Sequence, residues 1–147
     1  MITFFDTSAL VKLFVAEVHC TAARRWAASA ALVMVSQVAW PEFCSAMALK
    51  RRTGQLAPSE VQAILSSMSA QWPKYNRLAV DAELLNEAGN LVLQHDLRAY
   101  DGVQLATALR AANTAGSSLR MCCFDKSLSA AAKQRGLVVL EPQVEGA

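Results

Sequence analysis

A chain of 147 residues, 54% apolar and 18% charged, is long enough to bury a core of its own and too apolar to stay disordered, so it reads as one domain over 1–147. The net charge of +2 by itself says little about nucleic-acid partners. Cys20, Cys44, Cys122 and Cys123 form no C-x-x-C pair, and neither His19 nor His95 stands at a ligand spacing from them, so they read as free thiols and not as a zinc site.

Ile2 to Phe5 reads as a strand apolar on both faces. Asp6 ends it, and Thr7 or Ser8 can cap a helix running to about Phe14. This stretch carries Asp6 and Lys12, lacks a basic leader and is too short to span a bilayer, so the expectation is a cytoplasmic protein with no membrane association. A second helix is expected from about Val18 to Ala30, a buried strand over Leu32 to Val35, and, after a Ser36 cap, a long helix to about Arg52 closed by Thr53-Gly54. Pro41 removes a backbone donor, so either the first turn is irregular or the helix starts near Trp40.

Pro58-Ser59-Glu60 opens a helix to about Gln71 that Trp72-Pro73 stops. Asn76 to Val80 reads as a short strand, and Asp81 caps a helix to His95. A helix then runs from about Tyr100 to Ala115, ending at Gly116; Leu119 to Phe124 is a strand, Lys126 to Arg135 a helix, and Leu137 to Leu140 the last strand. Strands alternating with helices imply an α/β fold, a parallel sheet covered on both sides by right-handed crossovers.

In such a sheet, strand ends and helix starts meet along one edge. Asp6 and Asp125 each follow an apolar strand, while Glu42 and Asp101 lie in the first two turns of their helices, where the helix dipole favours a carboxylate. The four can therefore converge. An all-carboxylate site suits hard divalent cations such as Mg²⁺ or Mn²⁺, because uncompensated carboxylates in contact repel. Such a site activates water and neutralises phosphate charge in phosphodiester hydrolysis. The Ser8 hydroxyl, close to Asp6, is a further candidate for holding a water or a phosphate oxygen. Taken singly, Asp6, Asp101 and Asp125 are also ordinary helix caps; the conjunction is what carries the expectation.

Four blocks carry a resemblance: Phe5-Asp6-Thr7-Ser8-Ala9-Leu10-Val11-Lys12, Trp40-Pro41-Glu42-Phe43, Tyr100-Asp101-Gly102-Val103-Gln104-Leu105-Ala106-Thr107-Ala108-Leu109 and Phe124-Asp125-Lys126-Ser127-Leu128. Together they resemble the PIN-domain ribonucleases, in particular the VapC-type toxins of toxin–antitoxin pairs, over nearly the whole chain. That resemblance implies a PIN-like five-stranded parallel sheet of order 3-2-1-4-5 and an Mg²⁺- or Mn²⁺-dependent endoribonuclease. It further implies a homodimer, restrained by a cognate antitoxin. It assigns Asp6, Glu42, Asp101 and Asp125 as the acidic quartet, with Asp6 and Asp101 as the direct metal ligands. One departure is visible: members commonly carry Thr or Ser two residues before the last acid, where this chain has Cys123.

RNA contacts are expected from Lys12, Arg51, Arg52, Arg98 and Lys126, since phosphate binding is largely electrostatic. The apolar faces of the helices over 36–52 and 58–71 (Val38, Phe43, Met47, Val61, Leu65, Met68) are the expected partner groove. The competing expectation is a non-catalytic PIN-like module that binds RNA or protein, which retention of all four acids disfavours.

Overall fold

The computed structural model describes residues 1–142. Five strands, β1 (Ile2–Phe5), β2 (Leu32–Ser36), β3 (Asn76–Leu78), β4 (Leu119–Cys122) and β5 (Val138–Leu140), form one sheet of order 3-2-1-4-5 with every neighbouring pair parallel. The helices are α1 (Thr7–Phe14), α2 (Cys20–Ser29), α3 (Ala39–Arg52), α4 (Pro58–Gln71), α5 (Ala82–His95), α6 (Ala99–Ala115) and α7 (Lys126–Gln134). This is the expected α/β architecture. Among the described residues no helix is long and apolar enough to cross a membrane.

The central strand explains why the chain has two cores. Side chains alternate along β1, so Phe4 faces one cluster with Met34, Leu105, Met121 and Leu128, while Phe5 faces another with Leu10, Val35, Phe43, Met47 and Met68. Both phenylalanines are fully buried. An apolar-on-both-faces strand at the centre of a parallel sheet is the arrangement that gives each layer of helices a surface to cover.

Several boundaries differ from expectation, each for a local reason. Asp6, not Thr7 or Ser8, caps α1, its carboxylate accepting the Ala9 N–H at 3.0 Å. α2 starts at Cys20 and not at Val18 because His19 adopts φ 67°, outside the helical basin. Ser36 ends β2, and its hydroxyl accepts the Val38 N–H at 3.2 Å, shaping the turn into α3. Pro41 is the third residue of α3, where no intrahelical N–H bond is required, so it is tolerated. β4 stops at Cys122, leaving Cys123 and Phe124 as a link before the Asp125 cap of α7.

The expected partner faces of α3 and α4 need correction. Phe43, Met47, Val61 and Met68 are buried in the chain's own second core, not presented outward. What remains open there is a shallower groove of 630 Å³ bordered by Arg51, Val61, Gln62, Leu65 and Ser69.

α5 and α6 meet at Gly102, next to Asp101. A Cβ at Gly102 would stand 2.4 Å from Val92 Cγ2 and 2.9 Å from the Ala88 carbonyl oxygen. Gly102→Ala is therefore expected to lower stability by about 1–3 kcal/mol in urea melts. Adding Val92→Ala should restore only part of this, because the backbone oxygen cannot give way; an unchanged urea midpoint for Gly102→Ala would show that the helices separate freely.

Candidate active site

The four acids arrive from four elements at the C-terminal edge of the sheet. Asp6 follows β1, Glu42 sits in the first turn of α3, Asp101 in that of α6, and Asp125 caps α7 through the Leu128 N–H at 2.9 Å. β1 lies between β2 and β4, which brings the starts of the following helices beside Asp6.

Asp6 is the most constrained of them, with 4% of its surface exposed. Ser8 Oγ donates to its carboxylate at 2.7 Å, with the second oxygen at 3.0 Å, and Cys123 Sγ lies 3.3 Å from Oδ2 as a thiol donor. Burial raises its pKa from 3.8 to about 6, against the lowering effect of the Ser8, Ala9 and Cys123 hydrogen bonds and with a further push from the Glu42 charge. Cys123, which stands in place of the more usual hydroxyl residue, thus still aims a hydrogen at Asp6. Its thiol is itself pushed well above its ordinary range, by burial first and by the Asp6 charge second.

Ser8 also acts as an acceptor: its oxygen takes the Phe124 N–H at 2.9 Å, tying the β1 end to the link after β4. Thr7 Oγ1 donates to Glu42 Oε1 at 2.9 Å. Gln104, only 1% exposed, places Nε2 at 2.8 Å from the same Glu42 oxygen and 3.1 Å from Thr7 Oγ1. Its own Oε1 is buried without a hydrogen-bond partner. Gln104 went unassigned in the sequence, although a polar residue three positions after Asp101 in an apolar helical run shares that acid's face.

Asp101 and Asp125 are joined by one cation. Arg98 Nε lies 3.0 Å from Asp101 Oδ2, and its terminal nitrogen 3.1 Å from Asp125 Oδ2. The Arg98 side chain is 80% exposed, and its guanidinium is held in the charged form by Asp101 first, then Asp125 and Glu42. Among the described residues, no three Asp, Glu, His or Cys side chains are set to hold one ion as placed. Arg98 spans two of the four acids, so an ion at Asp101 requires that guanidinium to swing aside. The donor set itself, carboxylate oxygens with neighbouring hydroxyls, fits a hard divalent cation.

Of the expected RNA-contacting residues, Lys12 is already engaged: Nζ lies 3.1 Å from Glu17 Oε1 and 2.8 Å from the Val18 carbonyl. Lys50 pairs with the other Glu17 oxygen at 3.2 Å. Arg51, Arg52 and Lys126 are exposed.

The PIN domain family model matches residues 3–134. This chain belongs to the PIN-domain family. The PIN domain is 32% identical over 139 residues to Ribonuclease VapC46 of Mycobacterium tuberculosis, covering 95% of this chain and 96% of that protein. Solved PIN-like folds superpose on it: VapC20 of Mycobacterium tuberculosis, described as a sarcin-ricin loop cleaving toxin, gives a TM-score of 0.67 at 22% identity over 95% of this chain and 99% of that one. A toxin-antitoxin complex from Klebsiella pneumoniae gives 0.61 at 18% identity, over 96% and 98%.

Asp6 fixes a sign for pH dependence in this PIN domain. A carboxyl whose pKa rises from 3.8 to about 6 on folding is charged at a penalty that is complete above the upper value and absent below the lower one. Without a cation, stability therefore falls as pH rises from about 4 to 6, by roughly 3 kcal/mol at most. Asp6→Asn keeps the helix cap and removes the charge. In EDTA its urea midpoint should exceed that of the unaltered chain at pH 7, by about 2 kcal/mol of stability, and match it at pH 4; lower stability at pH 7 would contradict the burial argument.

Proposed function

We propose that the chain is a Mg²⁺- or Mn²⁺-dependent endoribonuclease and the toxin of a type II toxin–antitoxin pair, working in the cytoplasm as a homodimer restrained by a cognate antitoxin. The observation that carries this reading is the convergence of Asp6, Glu42, Asp101 and Asp125 on one sheet edge, with an exposed arginine already drawn between two of them. The VapC46 relative, named a ribonuclease, and the toxin-antitoxin complex with a like fold support it.

Asp6 and Asp101 would hold the divalent ion, with Glu42 and Asp125 completing the negative field around it. When bound, the ion supplies charge neutralisation at the scissile phosphate and an activated water for in-line attack. Ser8 and Cys123 fix the Asp6 carboxylate so that its oxygens are presented without rotation. Gln104 and Thr7 do the same for Glu42. Arg98, once released by Asp101 and Asp125, is long and exposed enough to pair with the phosphate of an incoming strand. Asp6 and Glu42 are thus set by neighbours before any substrate arrives, the condition under which electrostatic stabilisation is most effective.

Partner-free protein incubated with a mixed RNA pool should cleave it in Mn²⁺ or Mg²⁺ and leave it intact in EDTA. Asp101→Asn is expected to lower the cleavage rate by about 10²-fold or more. Gln104→Leu, which removes only the support of Glu42, should cost roughly 10–100-fold. Metal-independent binding with the RNA left whole would instead identify a non-catalytic binding module.

A further inference from the structure

An open cavity of 640 Å³ lies beside the acidic cluster and shares Cys123 and Asp125 with it. Its wall also carries Lys12, His19, Phe124 and Lys133. The Phe124 ring stacks on Trp26, at 5.9 Å between centroids and 20° between planes, and on His19, at 5.7 Å and 12°. The Lys12 ammonium sits 4.9 Å from the Phe124 centroid. Trp26 and Phe124 are half-buried while His19 is exposed, so the imidazole is the outermost layer of the stack.

His19 is held there against local preference. Its φ of 67° lies in the left-handed region, and although it occupies the N-cap of α2 its side chain makes no capping hydrogen bond. Asn, Asp or Ser would cap that helix, and glycine would relieve the backbone. What the position provides instead is an aromatic ring parallel to Phe124. Two of the lysines on the wall are already neutralised, Lys12 by Glu17 and Lys133 by Glu141. Lys126, on the same wall, is exposed, so the wall offers stacked π-faces together with one cation for a phosphate.

We propose that this cavity is a nucleobase subsite: one unstacked base of single-stranded RNA, adjoining the phosphate at the acidic cluster, packs on the exposed face of His19 as the next layer of the Trp26–Phe124–His19 stack. This rests on the ribonuclease reading above and deepens it. Single-stranded RNA is commonly gripped by stacking on aromatic side chains, and the size of the cavity is that of a small-ligand pocket. Its continuity with the cluster through Asp125 places the base next to the cleaved bond.

The test is fluorescence anisotropy with a labelled five-nucleotide single-stranded RNA, in EDTA and on an Asp101→Asn background, so that binding is read without cleavage. Adding His19→Ala should weaken Kd roughly 5- to 150-fold, and His19→Phe should preserve it. His19→Gly, which relieves the backbone, should lose affinity as His19→Ala does without melting lower. An oligonucleotide abasic throughout should bind equally well with or without the His19→Ala change. Equal affinity for base-bearing RNA with and without the imidazole overturns the proposal, as does no binding by any variant. Failure of the ribonuclease reading is a separate result, RNA left intact by the unaltered protein with Mn²⁺, and does not alter the His19 comparison.

Discussion

The Asp6 carboxylate, buried at the end of the central strand, is the constraint around which the rest of this structure is arranged. A charge in that position is costly unless something answers it. Three donors do so in part: the Ala9 amide, the Ser8 hydroxyl and the Cys123 thiol. They come from α1 and from the link after β4, so satisfying one carboxylate also locks those segments together. The donors do not cancel the effect of burial, and the acid remains short of positive charge. An incomplete answer of this kind is what separates a binding centre from a structural cap.

The second pair of acids is answered differently. Asp101 and Asp125 face solvent more openly and share the long, largely exposed Arg98. Exposed ion pairs contribute little to stability, so this bridge is easily exchanged for another cation. The site thus combines a rigid half, Asp6 with its donors and Glu42 with Gln104 and Thr7, and an adaptable half that opens at small free-energy cost. Glu17 extends the rigid half outward: despite partial burial, Lys12 and Lys50 hold its carboxylate below the ordinary range and pin α1 to α3.

Much of this was legible in the sequence, and the reasons are physical. The run from Ile2 to Phe5 read as a strand apolar on both faces, and an acid straight after such a strand falls at the sheet edge. The caps Asp81 and Asp125 followed from side-chain chemistry at helix starts. What could not be read depends on long-range contacts. Arg98 read as an RNA contact, and its bridge between two of the acids was hidden because Asp125 is 27 positions away. Gln104 carried no assignment, because its acceptor, Glu42, is 62 positions distant. The left-handed turn at His19 had no glycine to announce it, and the apolar residues of α3 and α4 looked surplus because the depth of the second core cannot be counted from one strand.

The parallel pairing of β1 with β4 also sets an order in time. Asp6 precedes Cys123 by 117 positions, and Cys123 and Asp125 join it only after β4, residues Leu119–Cys122, has docked beside β1. Parallel pairing of this range is intrinsically slow, because loop-closure entropy opposes it. A nascent chain on the ribosome therefore carries Asp6, Glu42 and Asp101 without the cluster, which closes only after β4 and the Asp125 cap of α7 have emerged.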